Sequence, residues 1–95
     1  MAGTRHLVLI AYDISDNNDR ARVAAVLEAE MVRVQGSLFE GWMTRAAAQR
    51  LANEAALLID ACDSLRLYVV PRGGVGAAKA WGFPPAPLTD GMLIV

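Results

Sequence analysis

Apolar positions along this chain recur every second residue in some stretches and every third or fourth in others. The switches between those periods mark its elements. Leu7-Val8-Leu9-Ile10-Ala11-Tyr12 is a continuous apolar, β-favouring run that stops abruptly at Asp13. It is short for a helix and reads as a strand buried on both faces. Ser15-Asp16-Asn17-Asn18-Asp19 then clusters turn formers and helix caps. From Arg20 to about Met31, the residues Val23, Val26, Leu27 and Met31 share one side at helical spacing, a stripe expected to lie on the sheet. Val32-Arg33-Val34-Gln35 alternates as a half-buried strand does, Gly36 acts as a pivot, and Leu38 to Met43 resumes in extended form. Thr44 stands as the N-cap of a second helix, about Arg45 to Ala61, with Leu51, Ala55, Leu58 and Ile59 on one side. Asp63-Ser64 ends it, and Leu65 to Val70 alternates as another strand.

From Pro71 the pattern changes. Pro71-Arg72-Gly73-Gly74-Val75-Gly76 reads as a flexible loop, since it lacks the spacing and the terminal Lys-Ser/Thr of a phosphate loop. A proline-stiffened segment, Trp81 to Pro87, leads to the apolar Met92-Leu93-Ile94-Val95, a last strand that needs a sheet edge to pair with. The order is strand, helix, strand, strand, helix, strand. It predicts an α+β, ferredoxin-like βαββαβ sandwich with an antiparallel sheet and an extra C-terminal strand. Residues 1–72 would form the core, and residues 73–95 a loop and docking strand of the same single domain. Both helices then cover one sheet face. The other is left open, and in so small a protein an open face packs against a second copy, so a homodimer is expected.

Composition sharpens this picture in three places. Of the 95 residues, 55% are apolar, which excludes a disordered chain and leaves apolar surface for an interface. No apolar stretch approaches the ~20 residues of a membrane span, and the first residues lead straight into a strand, so a cytoplasmic protein is expected. The net charge of −1 weakens the case for a dedicated nucleic-acid binder. Nearly all the cations are Arg, though, with Lys79 the only lysine, and the planar guanidinium fork suits phosphate.

Candidate chemistry is narrow. The lone His6 precedes the first strand, which excludes a Ser-His-Asp site, and one Cys with one His excludes zinc. Cys62, among Ile59, Ala61 and Leu65, is expected as an inert buried thiol. Asp13, with Asp16 nearby, remains. It is either a turn cap or the start of a site for a hard divalent cation, which prefers carboxylate oxygen. Arg20 and Arg22, placed in the first turn of their helix, oppose its dipole and await either an anion or the acids Asp16 and Asp19.

Taken together, Tyr12-Asp13-Ile14-Ser15-Asp16, then Arg20 and Arg22, then Arg33-Val34-Gln35-Gly36-Ser37-Leu38-Phe39-Glu40 resemble the small CRISPR-associated proteins of the Cas-two family. There an opening strand ends in Tyr-Asp, a helix begins with paired arginines, and Arg-Val-Gln-x-Ser-Val-Phe-Glu follows. Asp63-x-x-Arg66-x-Tyr68 is also similar, so the motifs span about residues 7–70, with Leu38 in place of the commoner Val. Trp81-Gly82 and Pro87 to Val95 resemble the ending of members from type I-E systems, whose closing strand docks the integrase partner.

The resemblance implies a CRISPR adaptation protein that helps the integrase capture and insert spacers. It implies that Asp13 is a metal-binding acid facing its mate across the dimer, with one Mg²⁺ shared between them, and Tyr12 beside it. Arg20, Arg22 and Arg33 would meet the phosphates of double-stranded DNA, and possibly of single-stranded RNA, with Phe39 as the family's aromatic. Met92, Leu93, Ile94 and Val95 would dock the integrase. A Mg²⁺-dependent endonuclease activity on RNA or DNA is implied as well. Two other readings stand beside it: a non-catalytic scaffold, and a toxin-type ribonuclease of the same fold. Read without the family, Tyr12 and Phe39 are equally core aromatics, and Arg33 a solvated cross-strand partner.

Overall fold

A computed structural model describes residues 3–77 together with Lys79 and Trp81. Its elements follow the expected order: β1 (Arg5–Asp13), α1 (Asn17–Glu28), β2 (Val32–Gln35), β3 (Leu38–Thr44), α2 (Arg45–Ala56), β4 (Ser64–Val70) and a closing 3₁₀ turn (Arg72–Ala77). The strands form one sheet in the order β2-β3-β1-β4, with every neighbouring pair antiparallel. This is the ferredoxin-like sandwich. The C-terminal strand at Met92–Val95 lies outside the described residues.

Each helix begins at a local capping device. The Asp16 carboxylate accepts the Asp19 N–H at 2.8 Å, so α1 starts at Asn17 rather than Arg20. Arg22 therefore falls beyond the first turn instead of within it. Thr44 caps α2, its hydroxyl accepting the Ala47 N–H at 3.1 Å. The second helix is shorter than its apolar spacing suggested, ending at Ala56. The Asp63 carboxylate accepts the Asp60 N–H at 2.9 Å, giving that backbone an alternative to helix. This early stop overturns the expectation for Cys62, whose thiol is exposed on a turn rather than buried on a helix. Residues 72–77, expected as an irregular loop, form the 3₁₀ turn, with the Gly74 N–H donated to the Pro71 carbonyl at 2.8 Å.

The core fills the space between one sheet face and the two helices. Val8, Ile10 and Tyr12 of β1, Phe39 and Met43 of β3, Val23 and Leu27 of α1, and Leu51 and Ala55 of α2 are all buried there. Leu65, Leu67 and Val69 of β4 and Leu58 and Ile59 beyond α2 pack at its margin. Gly41 allows β3 to run close under the α1–β2 turn. A Cβ at that position would stand 3.2 Å from both the Glu30 carbonyl oxygen and Met31 Cγ.

Strand alternation sends the remaining side chains to the open face. Leu7, Leu9, Ala11 and Asp13 of β1 stand beside Trp42, Glu40 and Leu38 of β3 on one flank. On the other flank they stand beside Val70, Tyr68, Arg66 and Ser64 of β4. The first strand is thus apolar on both sides but covered by helices on one. Leu9 and Ala11 are half-buried, and Tyr68 and Val32 are about half exposed, at 48% and 50%. Leu7 alone on that face is closed off, at the end where the 3₁₀ turn meets β1.

Candidate functional site

The register brings the carboxyl end of β1, the β2–β3 turn, the start of β4 and the N-terminus of α1 to one end of the sheet. Every candidate residue that the structure describes gathers there. Asp13 is exposed, opposite Ser64 of β4, and alternation puts it on the open face with Leu9 and Ala11. Tyr12, one residue earlier, points the other way. It is buried, its ring stacks on Phe39 with centroids 6.2 Å apart, and its hydroxyl lies 3.5 Å from the Gly36 carbonyl. Tyr12 and Phe39 are core aromatics.

The three arginines hold the loops around Asp13. Arg20 Nη1 donates to the Ile14 carbonyl at 2.8 Å and Nη2 to the Asn17 side chain, which ties α1 to the turn directly after Asp13. Arg33 lies over the Phe39 ring, 5.1 Å from its centroid, and donates to the Gly36 carbonyl at 2.6 Å and to Glu28 at 3.5 Å. The solvated cross-strand reading is therefore too weak for Arg33, which closes the β2–β3 turn. Arg22 is the most exposed of the three at 63%, paired with Asp19 at 2.8 Å.

Asp16 belongs to the helix cap, so it does not extend an Asp13 site. The acids that converge are others: Asp19, Asp60 and Asp63 come within 4.8 Å of one another. Asp63 is already committed within that group. Its Oδ1 accepts both the backbone N–H and the hydroxyl of Ser15 at 3.2 Å, and its Oδ2 accepts the Asp60 N–H. These donors, the Asp60 and Ser15 backbone N–H groups foremost, hold its carboxyl below the ordinary carboxylate value. Asp63 therefore clasps the turn after Asp13 to the entry of β4, a role sequence reasoning missed. The Asp60 contact, three residues away, was locally legible. The Ser15 contact, 48 residues away, was not.

One more group departs from its expected setting. Glu40, inside the Phe-Glu motif, faces the open side of β3 yet is 8% exposed, and burial pushes its carboxyl above the ordinary value.

Fold and site together define a small ferredoxin-like domain with an uncovered sheet face and an exposed acid where that face ends, ringed by arginine-braced loops. The family model for CRISPR associated protein Cas2 matches residues 6–76, and the chain belongs to that family. It is 37% identical over 75 residues to the CRISPR-associated endoribonuclease Cas2 of Mycobacterium tuberculosis (strain CDC 1551 / Oshkosh). That match covers 79% of this chain and 65% of the relative. A solved structure of a hypothetical protein from Thermus thermophilus superposes with a TM-score of 0.69 at 30% identity, covering 87% of this chain and 95% of that one. A chain of a partial Cas6-RT-Cas1–Cas2 complex matches with a TM-score of 0.64 at 23% identity, covering 79% and 89%, a likeness of fold. Among the described residues, no helix is long and apolar enough to cross a membrane.

Proposed function

We propose that this chain is a homodimeric CRISPR adaptation protein, which holds duplex DNA by its phosphates for an integrase partner during spacer acquisition. The observation that carries the reading is the position of Asp13, exposed on the open sheet face. Two copies packed through that face would bring two such carboxylates toward one axis. A carboxylate exposed at a strand end suits Mg²⁺, which takes one or two protein oxygens and keeps its waters. The bound ion would supply an activated water and charge stabilisation for phosphodiester cleavage. The chain's own part is to hold the ion through Asp13 and to keep that carboxylate in place through the Asp63 clasp and the Arg20 brace. Arg22 would meet the nucleic-acid backbone, without reading sequence.

The relative from Mycobacterium tuberculosis is named an endoribonuclease, which supports nuclease chemistry on RNA, and the Cas1–Cas2 complex supports an integrase partner. Residues 1–72 would carry the dimer and the acid, and residues 73–95 the docking. Purified protein carrying Asp13→Ala should lose Mg²⁺-dependent cleavage of RNA or DNA with an unchanged unfolding midpoint. Undiminished cleavage would refute the catalytic assignment. Deleting Met92–Val95 should abolish pull-down of the integrase, and retained binding would refute the docking assignment.

A scaffold without turnover is favoured by one observation. Arg20 and Arg33 spend their guanidinium hydrogen bonds within the fold, which suits a rigid frame. The Asp13→Ala comparison separates the two readings, because a scaffold would keep spacer integration when the carboxylate is removed.

A further inference from the structure

Two polar atoms on the open face of β3 are buried without a hydrogen-bond partner, Glu40 Oε1 and Trp42 Nε1. They sit two residues apart on one strand, so alternation sends both to the same side, beside Leu9 and Leu7 of β1. Within the chain, Trp42 is engaged only through its ring, over which the Arg72 guanidinium lies 5.7 Å from the centroid, while Arg72 Nη1 donates to the Arg5 carbonyl. An indole N–H can only donate, and a carboxylate can only accept. Buried groups of this kind are almost always paired, because an unmade bond leaves the whole desolvation cost standing. One face therefore carries a lone donor and a lone acceptor within an apolar setting of Leu9, Ala11, Val32 and Tyr68.

We propose that a second copy of the chain covers this face and that Glu40 Oε1 of each copy accepts the indole N–H of the partner's Trp42. The inference rests on the homodimer reading and deepens it by naming the polar contacts that fix its register. A two-fold interface is self-complementary: if Glu40 meets the partner's Trp42, then Trp42 meets the partner's Glu40. One contact, repeated by symmetry, satisfies all four atoms. An unrelated partner would need its own donor and acceptor at the matching spacing.

The test is a chain-exchange experiment on the full protein. Glu40→Leu and Trp42→Phe are prepared separately, one of them isotopically heavy, each checked by circular dichroism, then mixed in equal amounts. Each homodimer contains two broken pairs, with a buried polar group stranded in both. The mixed dimer contains one intact pair and one wholly apolar pair. Each single variant should dimerise about tenfold more weakly than the wild type, a loss typical of stranding a buried partner. Native mass spectrometry of the mixture should show mixed dimers well above the random share of about half, as the double-cycle logic requires. Glu40→Met replaces Glu40→Leu if the branched side chain does not fold. A random mixture overturns the Glu40–Trp42 pair and leaves the dimer standing. A wild-type chain that sediments as a monomer overturns the interface and the homodimer reading with it.

Discussion

The two faces of the sheet are built from alternate residues of the same strands, and they answer to different demands. Toward the helices, Val8, Ile10, Phe39 and Met43 are sealed in a continuous apolar core. Toward the open side, Leu9 and Ala11 are half-buried, Tyr68 and Val32 are half exposed, and two acids, Glu40 and Asp13, share the surface. A face that only had to keep water out would contain neither acid. The helix face makes the fold, and the open face carries what the fold is for. Neighbours such as Tyr12 and Asp13 divide between these tasks because strand side chains alternate.

The sharpest way to break this contrast is one substitution on each face. Phe39→Ala should cost about 3–5 kcal/mol of unfolding free energy by urea titration, as for large buried aromatics. Leu9→Lys on the open face should change stability by less than about 1 kcal/mol while turning dimer into monomer by sedimentation velocity. Equal destabilisation by both would erase the distinction between the faces.

Glu40→Gln comes next. Burial raises the Glu40 carboxyl above its ordinary 4.5, so the folded chain holds a proton that the unfolded chain has already released. That stabilisation is full below 4.5 and is lost as pH rises through the folded value. At dilutions where the chain is monomeric, Glu40→Gln should therefore be more stable than wild type at neutral pH, with the advantage closing as pH falls toward 4.5. A gap that stays constant with pH would show that Glu40 does not titrate with folding.

The smallest expected effect lies at the end of the sheet. Asp63 is held below its ordinary 3.8 by the Asp60 and Ser15 donors, so its contribution is present above that value and is lost as pH falls through the lowered one. Asp63→Asn should lower the urea midpoint slightly at neutral pH, and the difference from wild type should vanish in strong acid. An unchanged midpoint at every pH would refute the clasp. Because the clasp sits next to Asp13, the same variant should weaken Mn²⁺ binding, read by water proton relaxation, more than it lowers stability.

Much of this was legible in the chain. The order of elements followed from short-range patterns: alternation in β2 and β4, the Asp16 and Thr44 caps, and the pivot at Gly36. The family motifs pointed to the correct end of the sheet. Their individual roles were less legible. Arg33 was readable as a cation but not as the brace over Phe39, since that contact depends on the β2–β3 pairing. The end of α2 was misplaced because the apolar stripe continues through Leu58 and Ile59, which pack on the core from a turn as well as they would from a helix. Cys62 was misplaced with it.

The sequence by itself determined the fold class, the position of Asp13 at a strand end and the apolar character of both faces of β1, because these follow from neighbours a few residues apart. Only the tertiary structure decided which face the helices cover, and with it that Tyr12 enters the core while Asp13 faces out. It also decided that Asp63 clasps Ser15, and that Glu40 and Trp42 are buried without partners. Those outcomes depend on chains of contacts between residues far apart in sequence, and on which polar groups lose water once the sheet has closed.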